Sequence, residues 1–237
     1  MKINDGVYTV LLTPFKENYK IDYECLDKLL NKLINSNITG IVLLGTTSET
    51  PTLDISEKII LVKRIWNKLN GIKKIMVGIG GNNTFKTFHF AATIKNFCDY
   101  MLITVPNYNK PSQEGIIEHF KYVCNNKEFK NKSFVLYNVP SRCGINLEPK
   151  TVKQLYNDCD NIVAIKEASG SISQCMEIKN LCDIQIFSGD DSMVIPITSI
   201  GGSGLISVIG NIYPDYINDV YQLCKKNQYD IAWEKYN

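Results

Sequence analysis

The chain has 237 residues, 44% of them hydrophobic and 21% charged, an ordinary globular balance that excludes intrinsic disorder. Its 26 Lys and Arg against 24 Asp and Glu leave a net charge of +2, which gives no electrostatic footprint for nucleic acid or an anionic membrane. The N-terminus Met1-Lys2-Ile3-Asn4-Asp5 lacks the apolar stretch of a signal peptide, and no apolar run approaches the roughly 20 residues of a membrane span. A cytoplasmic protein is therefore expected, with small molecules and copies of itself as partners. Eight cysteines are scattered without a Cys-x-x-Cys pair and read as reduced, mostly buried thiols.

Short apolar or β-branched runs alternate with helical stretches along the whole chain. The first strand is predicted over residues 7–12. After it, Asp22 can cap a helix whose Leu26, Leu29, Leu30, Leu33 and Ile34 form one apolar stripe. The second strand is expected over 40–44, and Asp54 with Glu57 has the spacing of a capping box at the start of the next helix. Further strands are expected over 74–79, 100–105, 134–137, 162–166, 184–187 and 204–208, and Pro214 suits the first turn of the last helix. Several strands are apolar on both faces, as parallel strands between a filled interior and a helical layer must be. Eight β/α units in this length, with no dinucleotide fingerprint after the first strand, predict an α/β fold of the (β/α)8 TIM-barrel type over an open doubly wound sheet. The whole of 1–237 is expected to form a single barrel domain that ends in the first part of a C-terminal helical region.

In such barrels the chemistry sits at strand C-terminal ends and in the loops that follow them. Lys166 closes the apolar run Ile162-Val163-Ala164-Ile165. Burial there disfavours the charged amine and leaves a neutral nucleophile, a candidate Schiff-base lysine; the ordinary alternative is a lysine snorkelling to solvent. Tyr137 ends the preceding strand and is either a barrel-filling aromatic or a proton shuttle. Arg142 follows in Asn138-Val139-Pro140-Ser141-Arg142, as a surface charge or as a bidentate clamp on a carboxylate. Gly45-Thr46-Thr47-Ser48-Glu49 leaves the second strand as a small-residue turn that could hold a carboxylate, with Thr47 able to pass a proton to Tyr137, or as a plain loop. Glu167 lies next to Lys166, but strand alternation sends the two side chains to opposite faces.

Other motifs read as structure. Gly78-Ile79-Gly80-Gly81-Asn82-Asn83 lacks the Lys and Ser/Thr of a phosphate loop and is a strand-to-helix turn; Gly189-Asp190-Asp191 would repel phosphate. His89 and His119 lie on predicted helices without metal-ligand spacing, so no metal site is expected. Cys143 has only the neighbouring Arg142 to lower its pKa.

Taken together, Lys166, Tyr137-Asn138-Val139-Pro140-Ser141-Arg142, Thr13-Pro14-Phe15, Val105-Pro106-Asn107-Tyr108-Asn109-Lys110-Pro111 and Gly204-Leu205-Ile206-Ser207-Val208 resemble the dihydrodipicolinate synthase and N-acetylneuraminate lyase superfamily, nearly end to end. The arginine resembles the dihydrodipicolinate synthase branch. The resemblance implies a class I aldolase-type lyase that condenses pyruvate with aspartate 4-semialdehyde to 4-hydroxy-tetrahydrodipicolinate, in lysine and diaminopimelate synthesis. It needs no cofactor, because the covalent imine of pyruvate with Lys166 is the electron sink. Tyr137 would shuttle protons, linked through Thr47 to Tyr108 of a neighbouring subunit. Thr46 and Thr47 would hold the pyruvate carboxylate and Arg142 that of the semialdehyde, while the Gly189 and Ile206 backbones would line the pocket. Related pyruvate-dependent aldolases, cleaving N-acetylneuraminate or 2-keto-3-deoxy sugar acids, are the same-fold alternative; a truncated, non-catalytic relative is another.

The chain departs from the family pattern at Ser48, usually glycine, Asn107, often tyrosine, and Cys143, commonly threonine. Where regulated members carry two histidines and a glutamate for lysine feedback, it has Ile55, Lys58 and Lys86, so inhibition by lysine is expected to be weak or absent. It ends at Asn237, where family members continue with further helices. Those helices contribute subunit contacts, so a homo-oligomer, dimer or tetramer, depends on what remains.

Overall fold

The computed structural model describes residues 2–237. In chain order it contains β1 (Gly6–Val10), α1 (Tyr23–Ile34), β2 (Gly40–Leu43), α2 (Ile55–Leu69), β3 (Lys74–Gly78), α3 (Thr84–Ile94), β4 (Tyr100–Thr104), α4 (Gln113–Cys124), β5 (Ser133–Asn138), α5 (Pro140–Cys143), α6 (Pro149–Asp158), β6 (Ile162–Glu167), α7 (Ile172–Leu181), β7 (Gln185–Ser188), α8 (Val194–Ser199), β8 (Gly204–Ser207), α9 (Pro214–Lys225) and α10 (Tyr229–Tyr236). The strands pair in parallel and in sequence, and β1 closes on β8, so the sheet is the expected eight-stranded barrel.

Local chemistry sets the helix starts. Asp22 accepts from the Glu24 and Cys25 backbone N–H groups and starts α1, whose Leu26, Leu30 and Leu33 are buried. Asp54 and Glu57 form the capping box of α2. Pro214 opens α9, but α9 is not the last helix: α10 follows, joined to it by the Tyr216 hydroxyl, which donates to the Lys235 carbonyl at 2.6 Å. The eight-residue α10 has no side-chain cap at Gln228 and buries only Ala232, so the sequence carries little signal for it.

Register fixes which residues face the interior, since paired residues on neighbouring parallel strands share a face. One row of partners runs Thr104, Tyr137, Lys166, Phe187, Gly204 across five strands. Below it Tyr8 fills the barrel floor, edge-on to Tyr100 and Phe187 at 6.4 and 5.9 Å, with its hydroxyl donating to the Asn4 carbonyl. The strand residue beside that ring has to be small. A Cβ on Gly40 would lie 2.7 Å from Tyr8 Cε1 and 2.3 Å from the Lys74 carbonyl oxygen. Gly40→Ala is therefore expected to overpack the floor and lower stability by about 1–3 kcal/mol, read as a fall in Tm; an unchanged Tm would contradict this packing.

Candidate active site

The interior row places Lys166 at the C-terminal mouth of the barrel, and the lysine does not snorkel: it is 5% exposed. Burial pushes its pKa down to about 8, against the opposing pull of Asp190 and Asp191 and with a smaller downward push from Arg142. Its Nζ lies 4.2 Å from the centroid of the Tyr137 ring. Tyr137 is itself buried, which raises its pKa; the hydrogen-bonding Thr46 side chain and the Arg142 guanidinium pull it back down.

The expected relay ran through Thr47. It is the Thr46 side chain that acts on the Tyr137 hydroxyl, and Thr46 lines the cavity whereas Thr47 does not. The reason is the conformation of the loop: Thr46–Ser48 is a single 3-10 turn after Leu44 at φ 53°, which turns adjacent side chains in different directions. Ser48 points inward, 2% exposed, and donates to the Leu11 carbonyl at 2.6 Å, while Thr13 Oγ1 donates to the Ser48 carbonyl. The hydroxyl at position 48 thus ties the turn to the end of β1. Thr47 remains half-buried in the same turn.

A cavity of about 280 Å³ opens over Tyr137, lined among others by Thr46, Thr104, Asn107, Arg142 and Cys143. Arg142 lies on the short α5, is exposed, and makes no ion pair among the described residues, so its planar fork is open to a carboxylate. Cys143 is buried, and burial raises its pKa, so it is no thiolate nucleophile. Gly189 is packed against the lysine: a Cβ there would lie 3.1 Å from Lys166 Cε and 2.5 Å from Ala168 Cβ. Ile206 is fully buried in β8, and the strand end is held by Asp191, whose carboxylate accepts from Ser207 Oγ and from the Val208 and Ile209 N–H groups at 3.0 and 3.1 Å.

Tyr108 is not brought to this cavity. It is 84% exposed and held at φ 70°, an uncommon backbone state for a non-glycine residue, so its ring projects from the loop after β4. No group of three or more His, Cys, Asp or Glu side chains is gathered for a metal ion among the described residues. His119 is instead a buried α4 residue whose Nδ1 meets Thr84 Oγ1 at 2.9 Å, with its pKa pushed down by burial to about 4. No helix among the described residues is long and apolar enough to cross a membrane.

Sequence alone does not give the partners of Glu167. Strand alternation placed it away from Lys166, and the structure agrees, but it is buried and bonded to Asn138, Gln174 and the Ser169 N–H. A carboxylate inside a predicted buried strand was the available signal.

A desolvated amine at a strand end, beside a buried phenol and an unpaired guanidinium, is the layout of a barrel enzyme that captures carbonyl compounds as imines. Residues 4–237 match the dihydrodipicolinate synthetase family, and the chain belongs to it. It is 42% identical over 223 residues to the 4-hydroxy-tetrahydrodipicolinate synthase of Endomicrobium trichonymphae, covering 93% of this chain and 75% of that protein. The crystal structure of dihydrodipicolinate synthase from Aquifex aeolicus superposes with a TM-score of 0.93 at 34% identity, covering 98% of this chain and 78% of that one. A structure described as the first monomeric dihydrodipicolinate synthase variant also gives 0.93, at 32% identity over 98% of this chain and 78% of that one.

Proposed function

We propose that this chain is a 4-hydroxy-tetrahydrodipicolinate synthase, a class I aldolase-type lyase joining pyruvate to aspartate 4-semialdehyde, with Lys166 as the imine-forming residue. The observation that carries the reading is the desolvated Lys166 amine facing the Tyr137 ring. With a pKa of about 8 the amine is neutral about one time in ten at pH 7, against about one in three thousand for an unperturbed lysine. It adds to the ketone of pyruvate, water leaves, and the protonated imine draws off a methyl proton to give an enamine. The enamine carbon then bonds to the aldehyde carbon, and the substrate's amine displaces Lys166 as the ring closes. No cofactor enters, because the iminium nitrogen accepts the electron pair.

Tyr137 is the assigned proton shuttle, handed on by Thr46 in the place expected for Thr47. Thr46 and Thr47 hold the pyruvate carboxylate through the 45–48 turn, and Arg142 holds the semialdehyde carboxylate. Gly189 and Ile206 supply the backbone walls: any side chain at 189 would press on Lys166. Incubation with pyruvate and borohydride followed by intact-mass spectrometry should give one pyruvyl adduct, absent from Lys166→Ala. Its rate should rise with pH through about 8 and then level off, because only the neutral amine attacks. Arg142→Ala should still form the adduct while its KM for the semialdehyde rises about tenfold or more. Absence of the adduct in folded wild-type protein would overturn the reading, and a KM untouched in Arg142→Ala would favour a related aldolase.

The outward Tyr108 supports a homo-oligomer in which this ring completes a neighbour's site. Tyr108→Phe and Lys166→Ala proteins, each impaired alone, should regain activity when mixed and reassembled, since one mixed site then carries both groups. No recovery, with a sedimentation coefficient of a monomer, would refute shared sites.

A second cavity of about 540 Å³ lies between α2 and α3 and contains Ile55, Lys58 and Lys86, with no Asp or Glu in its lining. Like charges there disfavour a cationic amino acid. Millimolar L-lysine is expected to leave the initial rate unchanged; strong inhibition would contradict this assignment.

A further inference from the structure

Behind the reacting pair lies a second pair. Asn138 and Glu167 follow Tyr137 and Lys166 in their strands and are themselves register partners, so they face the helical layer. Glu167 is 2% exposed and Asn138 fully buried, and among the described residues no lysine, arginine or histidine forms an ion pair with the carboxylate. A buried carboxylate without a counter-cation is unfavourable unless donors fill its lone pairs. Here they do. Oε1 accepts from the Ser169 N–H at 2.8 Å, Oε2 from Gln174 Nε2 at 3.0 Å, and both accept from Asn138 Nδ2 at 3.1 Å.

The bonds continue outward. Asn138 Nδ2 also donates to Asn146 Oδ1 at 2.8 Å, and Asn138 Oδ1 accepts from the Leu147 N–H at 2.9 Å. Asn146 and Gln174 exchange two more, Nδ2 to Oε1 at 2.8 Å and Nε2 to Oδ1 at 3.2 Å. One acceptor-only group therefore joins the end of β5, the end of β6, α7 and the segment that follows Arg142.

We propose that Glu167 is a positioning residue for the reaction: its carboxylate holds Lys166, Tyr137 and the Arg142 segment at their working separation from the outer side of the barrel. The inference rests on the function proposed above. It requires an acceptor-only group, not only a buried side chain of that size. A glutamine amide at 167 would turn an N–H toward a donor. Flipping Gln174 passes the conflict to Asn146, flipping Asn146 passes it to Asn138, and flipping Asn138 sets its amide against the Leu147 N–H, which cannot turn. Asn138→Asp ends the conflict, because an aspartate there accepts from the glutamine, from Asn146 and from Leu147 together.

The test compares Glu167→Gln with the exchanged pair Asn138→Asp/Glu167→Gln, counting competent lysines by pyruvate and borohydride and expressing rates per competent lysine. Glu167→Gln is expected to trap pyruvate and turn over about tenfold or more slowly per competent lysine, with a raised KM for the semialdehyde; the exchanged pair should recover most of both. If Glu167→Gln only lowers Tm or the number of competent lysines, with per-site rate and KM unchanged, the role is merely structural and the proposal fails. Should Glu167→Gln not fold, an exchanged pair that folds but remains as slow as tenfold below wild type overturns it equally. The trapping rate needs no aldehyde, so wild-type protein that traps pyruvate without synthase turnover counts against the function and leaves this inference readable.

Discussion

The site depends on holding an amine where water cannot reach it. Desolvation outweighs the attraction of Asp190 and Asp191 for the ammonium form, and the pKa of Lys166 settles near 8. Without the two aspartates the pKa would fall further; with a stronger pull from them the amine would stay a cation at neutral pH. Arg142 adds a downward push and so couples the exposed guanidinium at the cavity rim to the amine beneath it.

A closed barrel suits this balance. Its interior is packed with side chains, so a strand-end residue has dry material below and a solvent-filled mouth above. The row through Thr104, Tyr137, Lys166, Phe187 and Gly204 contains both the amine and the phenol, and backbone pairing spaces them more firmly than a loop could. The same pairing sets Asn138 against Glu167 on the outer face. The amine and phenol and the buried Asn138–Glu167 pair are therefore neighbours in sequence and back to back in space.

Family membership and geometry are complementary here. The relatives name a reaction; the geometry says which groups of this chain stand together and which do not. Ser48 stands where glycine is usual, yet its hydroxyl is used, bonded to the Leu11 carbonyl beneath the turn. Tyr108 makes the opposite point, since a ring 84% exposed has no work in its own cavity.

All eight strands and the place of Lys166 were legible in the sequence, because strands buried on both faces are continuous apolar runs and a lysine ending one has few innocent explanations. Helix caps at Asp22 and Asp54 were legible for a similar reason: side-chain acceptors act on N–H groups two or three residues away. The short α10 was not, having no cap and one buried residue. Nor was the choice between Thr46 and Thr47, which depends on the φ and ψ of a 3-10 turn and not on residue type. The partners of Glu167 were also hidden: alternation says which way it points, but Asn138 and Gln174 reach it only when β5, β6 and α7 close around it. Periodicity and local capping are short-range and written in order along the chain, so the sequence alone determined the barrel and the lysine and tyrosine at its strand ends. Which hydroxyl meets Tyr137, which donors fill Glu167 and where Tyr108 points were decided by tertiary structure, because those contacts join residues that only folding makes neighbours.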